Sequence, residues 1–306
     1  MPEQVIDKEA YMKQVPARAI EPIAGTLVHY ERFPSERVRS RPVDVWLPEG
    51  YDATSATRYP VIYMHDGQFL FHVKTSPMAG MDLFWEVDKC VSRLAQAAQI
   101  APPIVVSVWM ADWLEGARGA EYMPQKPVTD YIWQAMLRKG WNQKEGSEPL
   151  NSENYLRFLV EELKPFVDTN YATKPDREAT FIMGSSMGGL ISAYALTEYP
   201  DVYGGAACMS THWNIAGDGA ADDAIVNWFD DHWPEAGRHR VYFDRGTESY
   251  DASYGPYQEK MDGVMRRHGF SEDVDWTTQC FVGADHSSQA WRERLHVPLK
   301  FLLGAL

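Results

Sequence analysis

Apolar and polar residues alternate along residues 26–33 (TLVHYERF) and 41–47 (RPVDVWL), and the turn residues Pro48, Gly50 and Asp52 follow. That period of two predicts two strands, antiparallel to one another at a sheet edge. The short apolar run at 59–64, with Pro60 at its start, enters the polar tetrad His65-Asp66-Gly67-Gln68 and predicts a buried central strand. The period then changes. Within 82–99, Leu83, Val87, Cys90, Val91, Leu94 and Ala98 recur at spacings of three and four, which is one apolar helix face, and Pro102-Pro103 stops it. A second buried strand is predicted at 104–109, so the order is strand, helix, strand, as a parallel sheet requires.

The same unit recurs further along, with a helix predicted at 155–167, a strand at 179–183 and a helix from Leu190. Strands at 202–210, 240–244 and 274–282 and helices at 261–268 and 290–303 complete an α/β pattern in one domain from residue 25 to 306. Residues 1–24 have mixed charge and little periodicity and read as a peripheral arm. Two stretches break the alternation, at about 110–151 with Trp113, Trp133 and Trp141, and at 211–239 with Trp213, Trp228 and Trp233. Both leave strand C-termini, where open α/β sheets bind ligands, so they are expected to form pocket walls as well as covering the sheet.

The stretch around which this pattern is organised is Gly184-Ser185-Ser186-Met187-Gly188-Gly189, a G-x-S-x-G sequence between an apolar strand and a helix. The five residues also occur by chance in unrelated proteins; the strand–turn–helix context gives them weight. A serine hydroxyl is a weak nucleophile, and needs a base within hydrogen-bond reach and an oxygen held clear of the backbone. A sharp turn lined by small residues does the second job and points the Met187 N–H at the position where an oxyanion forms. Ser186 is therefore the candidate nucleophile. The candidate base is His286, in Gly283-Ala284-Asp285-His286, because an apolar strand delivers it to a loop at the sheet's end. The other eight histidines fall in polar segments, inside predicted elements or, for His65, beside the turn after the first central strand.

Composition narrows the partners. With 29 basic against 43 acidic residues the net charge is −14, which argues against nucleic acid or an anionic membrane. A hydrophobic content of 45% suffices for one well-buried core. Cys90, Cys208 and Cys280 sit in apolar surroundings without ligand spacing and are expected to be core residues. The acidic pairs Asp222-Asp223 and Asp230-Asp231 lack metal-ligand spacing and read as solvated charges, and no lysine follows the glycines as a phosphate loop requires. No metal or cofactor is expected. The charged N-terminus has no apolar core of a signal peptide and no segment reaches membrane-span length, so a cytoplasmic protein is expected; a leader removed earlier leaves the same evidence.

Taken together, Tyr63-Met64-His65-Asp66-Gly67-Gln68, Glu121-Tyr122-Met123-Pro124, Gly184 to Gly189, Gly246-Thr247-Glu248 and Gly283 to His286 resemble the esterase D-like family of serine esterases. This α/β-hydrolase group includes feruloyl esterases, ferric-enterochelin esterases, S-formylglutathione hydrolases and mycolyltransferases. The resemblance implies an α/β-hydrolase fold with a mostly parallel central sheet, helices on both faces and loop insertions over the site. It implies Ser186 as nucleophile, His286 as base, and the backbone N–H groups of Met187 and the Gly67-Gln68 turn as oxyanion hole. Its acid lies three or four residues beyond a glycine, whereas here Glu248 is at plus two from Gly246 and Asp251 at plus five. Either can orient an imidazole; Asp251, 35 residues before His286 against 38 for Glu248, is nearer the implied spacing. Asp251 also reads as a helix N-cap and Glu248 as a solvated loop charge. The expected activity is hydrolysis of a small-molecule ester, with acyl transfer on the same residues and a non-catalytic binding module as alternatives.

Overall fold

The computed structural model describes residues 17–20, 24–71, 83–111, 117–141 and 149–304. Nine strands form one sheet: β1 (Ala17–Ile20), β2 (Thr26–Phe33), β3 (Arg41–Leu47), β4 (Val61–Met64), β5 (Ile104–Val108), β6 (Thr180–Ser185), β7 (Gly205–Met209), β8 (Arg240–Arg245) and β9 (Trp276–Cys280), in the order β1-β2-β3-β5-β4-β6-β7-β8-β9. From β5 to β9 every neighbouring pair is parallel. The antiparallel edge has three strands rather than two, because part of the stretch read as an arm pairs Ala17 with Tyr30 and Ile20 with Leu27.

The period of two sorts the central strands between two cores. Val61 and Tyr63 of β4, Ile104 and Val106 of β5, Ile182 of β6, Cys208 of β7 and Phe243 of β8 face one side. Ile62, Met64, Val105, Met183, Met209 and Tyr242 face the other. On the second face lie α1 (Val87–Gln96) and, at the chain's end, the helix His296–Leu303, through Val87, Val91, Leu299 and Leu302. On the first face, α2 (Ala117–Tyr122) and α3 (Asp130–Lys139) occupy the first insertion. They are followed by α4 (Ser152–Arg157), a π-helical turn at Phe158–Leu163 and α5 (Lys164–Asn170). Then come α6 (Met187–Glu198), α7 (Gly219–His232) within the second insertion and α8 (Gly255–Arg267). The predicted closing helix is broken at Leu295 into α9 (Ser288–Arg294) and α10 (His296–Leu303).

Several polar and aromatic residues depart from expectation. Trp213 and Trp233 of the second insertion are buried in the core, with the Trp213 indole N–H donating to Gln258, so they fill space rather than wall a pocket. Trp133 and Trp141 pack against the core half-buried, and Trp113 lies outside the described residues. Asp222 is buried instead of solvated, because it accepts the Ala216 N–H at 2.7 Å and so closes the loop before α7. Cys90 and Cys208 are buried, whereas Cys280 is exposed as the last residue of the edge strand β9, where no further strand covers it.

The first insertion is anchored by a buried ion pair. Arg41 at the start of β3 donates through Nη1 and Nη2 to both Glu121 oxygens of α2, at 2.6 and 2.5 Å, under the rings of Tyr155 and Phe158. Two charges taken out of water hold only as a pair; a single survivor keeps its desolvation cost without compensation. Arg41→Met should therefore lower unfolding stability in urea by about 3–5 kcal/mol, and Arg41→Met with Glu121→Met should recover most of it. A double variant as unstable as the single one would show that the charge pairing is not what matters there.

Candidate active site

Strand β6 ends in Gly184 and Ser185, and α6 starts at Met187, leaving Ser186 to make the turn at φ 57°, ψ −123°. A side chain rarely adopts that conformation, and it persists only where its surroundings dictate it. Here they do. The Ser186 N–H donates to Met209 O at 2.9 Å, and its carbonyl accepts from Leu190 N at 3.1 Å and His212 N at 3.2 Å. The strand and the helix approach so closely that a Cβ on Gly184 would lie 2.7 Å from the backbone carbon of Gly188. At Gly188 the nearest atom to such a Cβ is the Asp66 carboxylate, at 3.3 Å.

Opposite this strand-to-helix elbow at Ser186, β4 runs into the turn His65 to Gln68, tied down where the His65 N–H donates to Met183 O at 3.0 Å. Asp66 sits at φ 57° and takes two hydrogen bonds of 2.7 Å from the Arg118 guanidinium of α2, while its own N–H donates to the Tyr122 hydroxyl at 3.2 Å. Gly67 has to be glycine: a Cβ would collide with Ser107 Oγ and lie 2.6 Å from the Trp109 ring. Behind it, the Ser107 hydroxyl bonds to Gly67 O at 3.2 Å, and Asp44 accepts from the Trp109 indole N–H at 2.6 Å and meets His29 Nδ1 at 2.6 Å. That bond to Asp44 raises the His29 pKa against the opposing pull of burial. The turn and the elbow thus face each other with the N–H groups of Gln68 and Met187 unclaimed by any backbone acceptor among the described residues. His65 itself is fully buried against the Tyr155 hydroxyl, and burial, with Arg118 adding to it, drives its pKa to about 3. It is a neutral packing residue.

The loops after β8 and β9 carry the remaining groups. They are knitted together where Thr247 N and Glu248 N donate to Ala284 O at 3.0 and 3.1 Å and Gly283 N donates to Thr247 Oγ1 at 2.8 Å. Only a glycine fits at 246, since a Cβ would strike the Ala284 carbonyl. Ser249, at φ 58°, then turns the chain into the 3₁₀ segment Ser249–Ser253. This swings Asp251 inward and leaves Glu248 exposed. His286 Nδ1 is 2.5 Å from Asp251 Oδ1, whereas the Glu248 carboxylate meets the neighbouring Thr247 hydroxyl at 3.5 Å.

Asp251 is fully buried, and burial pushes its pKa up, but hydrogen bonds from His286, the Ser210 hydroxyl (2.6 Å) and Gly246 N (2.5 Å) prevail and lower it. Ser210, just past β7 at φ 42°, in turn accepts from Arg294 Nη2 at 2.7 Å and from the Trp291 indole at 3.1 Å. Arg294 also pairs with Asp244 at 3.0 Å, so that carboxylate, inside β8, has a partner of its own. The His286 ring packs edge-on against Trp291, Tyr250 and Tyr254, with centroids 4.9, 5.5 and 5.7 Å away. Sequence reasoning missed Ser210, Arg294, Arg118, His212 and Tyr254, none of which lies in a recognisable local pattern.

The esterase family model, described as "Putative esterase", matches residues 35–302. The chain belongs to that family. Ferri-bacillibactin esterase BesA of Bacillus subtilis is 26% identical over 197 residues, which are 63% of this chain and 61% of that protein. A second B. subtilis relative, YjcH, is 24% identical over 62% of this chain and 64% of its own length, so the chain spans under two thirds of each of these curated relatives. Among solved structures, the feruloyl esterase module of Clostridium thermocellum superposes with a TM-score of 0.62 at 16% identity, over 93% of this chain and 94% of that one. The enterobactin esterase of Shigella flexneri gives 0.61 at 19% identity, over 94% and 59%. At such identities the likeness concerns the fold, which is that of the α/β-hydrolase esterases, with helices on both faces of a mostly parallel sheet. No described helix is long and apolar enough to cross a membrane.

The elbow geometry makes a prediction about its two glycines. Gly184→Ala should forfeit most folded protein or lower the thermal midpoint by several degrees, since the obstruction is backbone and nothing flexible can yield. Gly188→Ala should leave the midpoint within about two degrees, because the Asp66 carboxylate has only to shift slightly. Equal effects would mean that strand–helix contact does not set the turn.

Proposed function

We propose that this protein is a serine ester hydrolase in which Ser186 attacks the carbonyl, His286 carries the proton and Asp251 orients and stabilises the imidazole. The observation that carries the reading is the 2.5 Å bond between His286 Nδ1 and a fully buried Asp251, on loops that flank a serine held in a strained turn. With Nδ1 engaged by the carboxylate, Nε2 is the nitrogen free to accept the Ser186 proton as the Oγ–C bond forms. The tetrahedral oxyanion is held by the N–H groups of Met187 and Gln68, which have no backbone acceptor among the described residues and stay fixed because α6 and the His65–Gln68 turn are both packed. The imidazolium then protonates the leaving alcohol, and a water attacks the acyl-enzyme by the same route in reverse. This sequence needs no cofactor.

For substrate class, the relatives named for ferri-bacillibactin, enterobactin and ferulic acid point to small-molecule esters bearing an aromatic acid group. The exposed Tyr250 ring beside His286 offers an aromatic surface for such a group. A panel of aryl, feruloyl and short-chain esters with a catechol-siderophore lactone ranks these directly.

Variant kinetics test the assignment. Ser186→Ala should lose about 10³-fold or more in kcat with the fold retained. Asp251→Asn should cost up to about 10⁴-fold in kcat, because an amide favours the wrong tautomer, while Glu248→Gln should stay within about threefold of the parent. Near-parental activity of Ser186→Ala, or a larger loss at Glu248 than at Asp251, contradicts these roles.

A further inference from the structure

Beside His286 and Asp251 stands a second pair of hydrogen-bonding side chains that the reaction outlined above leaves unused. Tyr254 follows the 3₁₀ segment that carries Asp251, with its N–H donating to Asp251 O at 3.0 Å, and it is buried. Its ring meets two imidazoles edge-on, that of His286 at 5.7 Å and that of His212 at 5.6 Å. Its hydroxyl lies 2.5 Å from His212 Nδ1. His212, on the loop after β7, is joined to the nucleophile from the other side, since its backbone N–H donates to Ser186 O at 3.2 Å. Burial and the Asp251 charge raise the pKa of the phenol, and the Ser186 side chain beside it opposes them.

We infer that Tyr254, held in place by His212, is a positioning residue for the Ser186 hydroxyl, a second hydrogen-bonded arm at the nucleophile beside His286 and Asp251. A serine side chain at the elbow can rotate among staggered positions, and only one presents its proton to Nε2 of the base. A phenol oxygen fixed by an imidazole restricts that rotation, and restricted geometry of this kind raises the fraction of molecules poised for attack. His212 suits the task because it stays neutral: burial first, then Lys139, His286 and Arg118, bring its pKa to about 3. It therefore orients the phenol without competing as a base. No proton leaves through Tyr254; as Ser186 Oγ bonds to the carbonyl carbon, its proton passes to His286.

This inference rests on Ser186 as nucleophile, and the experiment separates the two. Tyr254→Phe keeps the ring packing against both histidines and deletes only the hydroxyl. On a small activated ester its kcat should fall about 10- to 100-fold with KM within about twofold, and the rate constant for labelling by an organophosphonate should fall by the same factor. His212→Asn should have a similar effect, and the double variant should be no slower than the slower single one, as expected of residues acting as a unit. Thermal midpoints close to the parent exclude unfolding as the cause, and Tyr254→Phe alone decides the matter if His212→Asn does not fold. The inference is overturned if Tyr254→Phe retains kcat within twofold, or if the two losses multiply. A silent Tyr254→Phe alongside an inactive Ser186→Ala removes only this arm, whereas an active Ser186→Ala removes the nucleophile itself.

Discussion

A carboxylate with no exposure to water has to be met on every side, and the need to satisfy Asp251 organises much of the end of the fold that carries His286. Isolated, its charge would cost several kcal/mol, and the carboxyl would sooner bind a proton than stay ionised. Three donors prevent that: the imidazole of His286, the hydroxyl of Ser210 and the N–H of Gly246. Each imposes a further condition. Gly246 has to approach the Ala284 carbonyl, which brings the two loops into register, and Ser210 has to take φ 42° past the end of β7. Its hydroxyl can donate to Asp251 because Arg294 and Trp291 fill its accepting side, and Arg294 is held by Asp244 in turn. The chain of requirements ends in α9, so a C-terminal helix is part of what fixes the proposed base.

A similar economy governs the first insertion. Glu121 and Arg118 both come from the short helix α2, one buried against Arg41 of β3 and the other paired with Asp66 beside the elbow. Six residues of helix have little stability alone, and these pairs couple them to the sheet and to the turn that presents the Gln68 N–H. The Glu121-Tyr122-Met123-Pro124 run thereby acquires a physical meaning. Glu121 neutralises Arg41, and Tyr122 accepts the N–H of Asp66.

How much of this was legible in the sequence follows from the range of the interactions. The central strands, most of the helices and the turn at Ser186 are set by local pattern, and Gly67 and Gly184 mark close approaches that a short motif can encode. Spacing favoured Asp251 over Glu248 only by three residues, and what brings Asp251 rather than Glu248 against His286 is not a spacing at all but a left-handed residue at Ser249 and the Gly246–Ala284 approach. His212 read only as a histidine in a polar segment and Tyr254 as the start of a helix, because their partners are brought in by the fold, 42 residues apart for their mutual bond. The tryptophans of the second insertion misled for the opposite reason. Aromatic residues in a long connection suit a pocket wall, but Trp213 and Trp233 instead fill the first-face core against Phe243.

The central claim is that Ser186 reacts while His286 is held by Asp251 and the Met187 and Gln68 N–H groups receive the oxyanion. A crystal structure after reaction with an organophosphonate, whose phosphoryl oxygen stands in for that oxyanion, tests all three at once. The expected adduct has phosphorus bonded to Ser186 Oγ, the phosphoryl oxygen about 2.7–3.1 Å from both N–H groups, and His286 Nδ1 still on Asp251. An adduct on another residue, a phosphoryl oxygen turned away from the elbow, or an imidazole paired with a different carboxylate would contradict it.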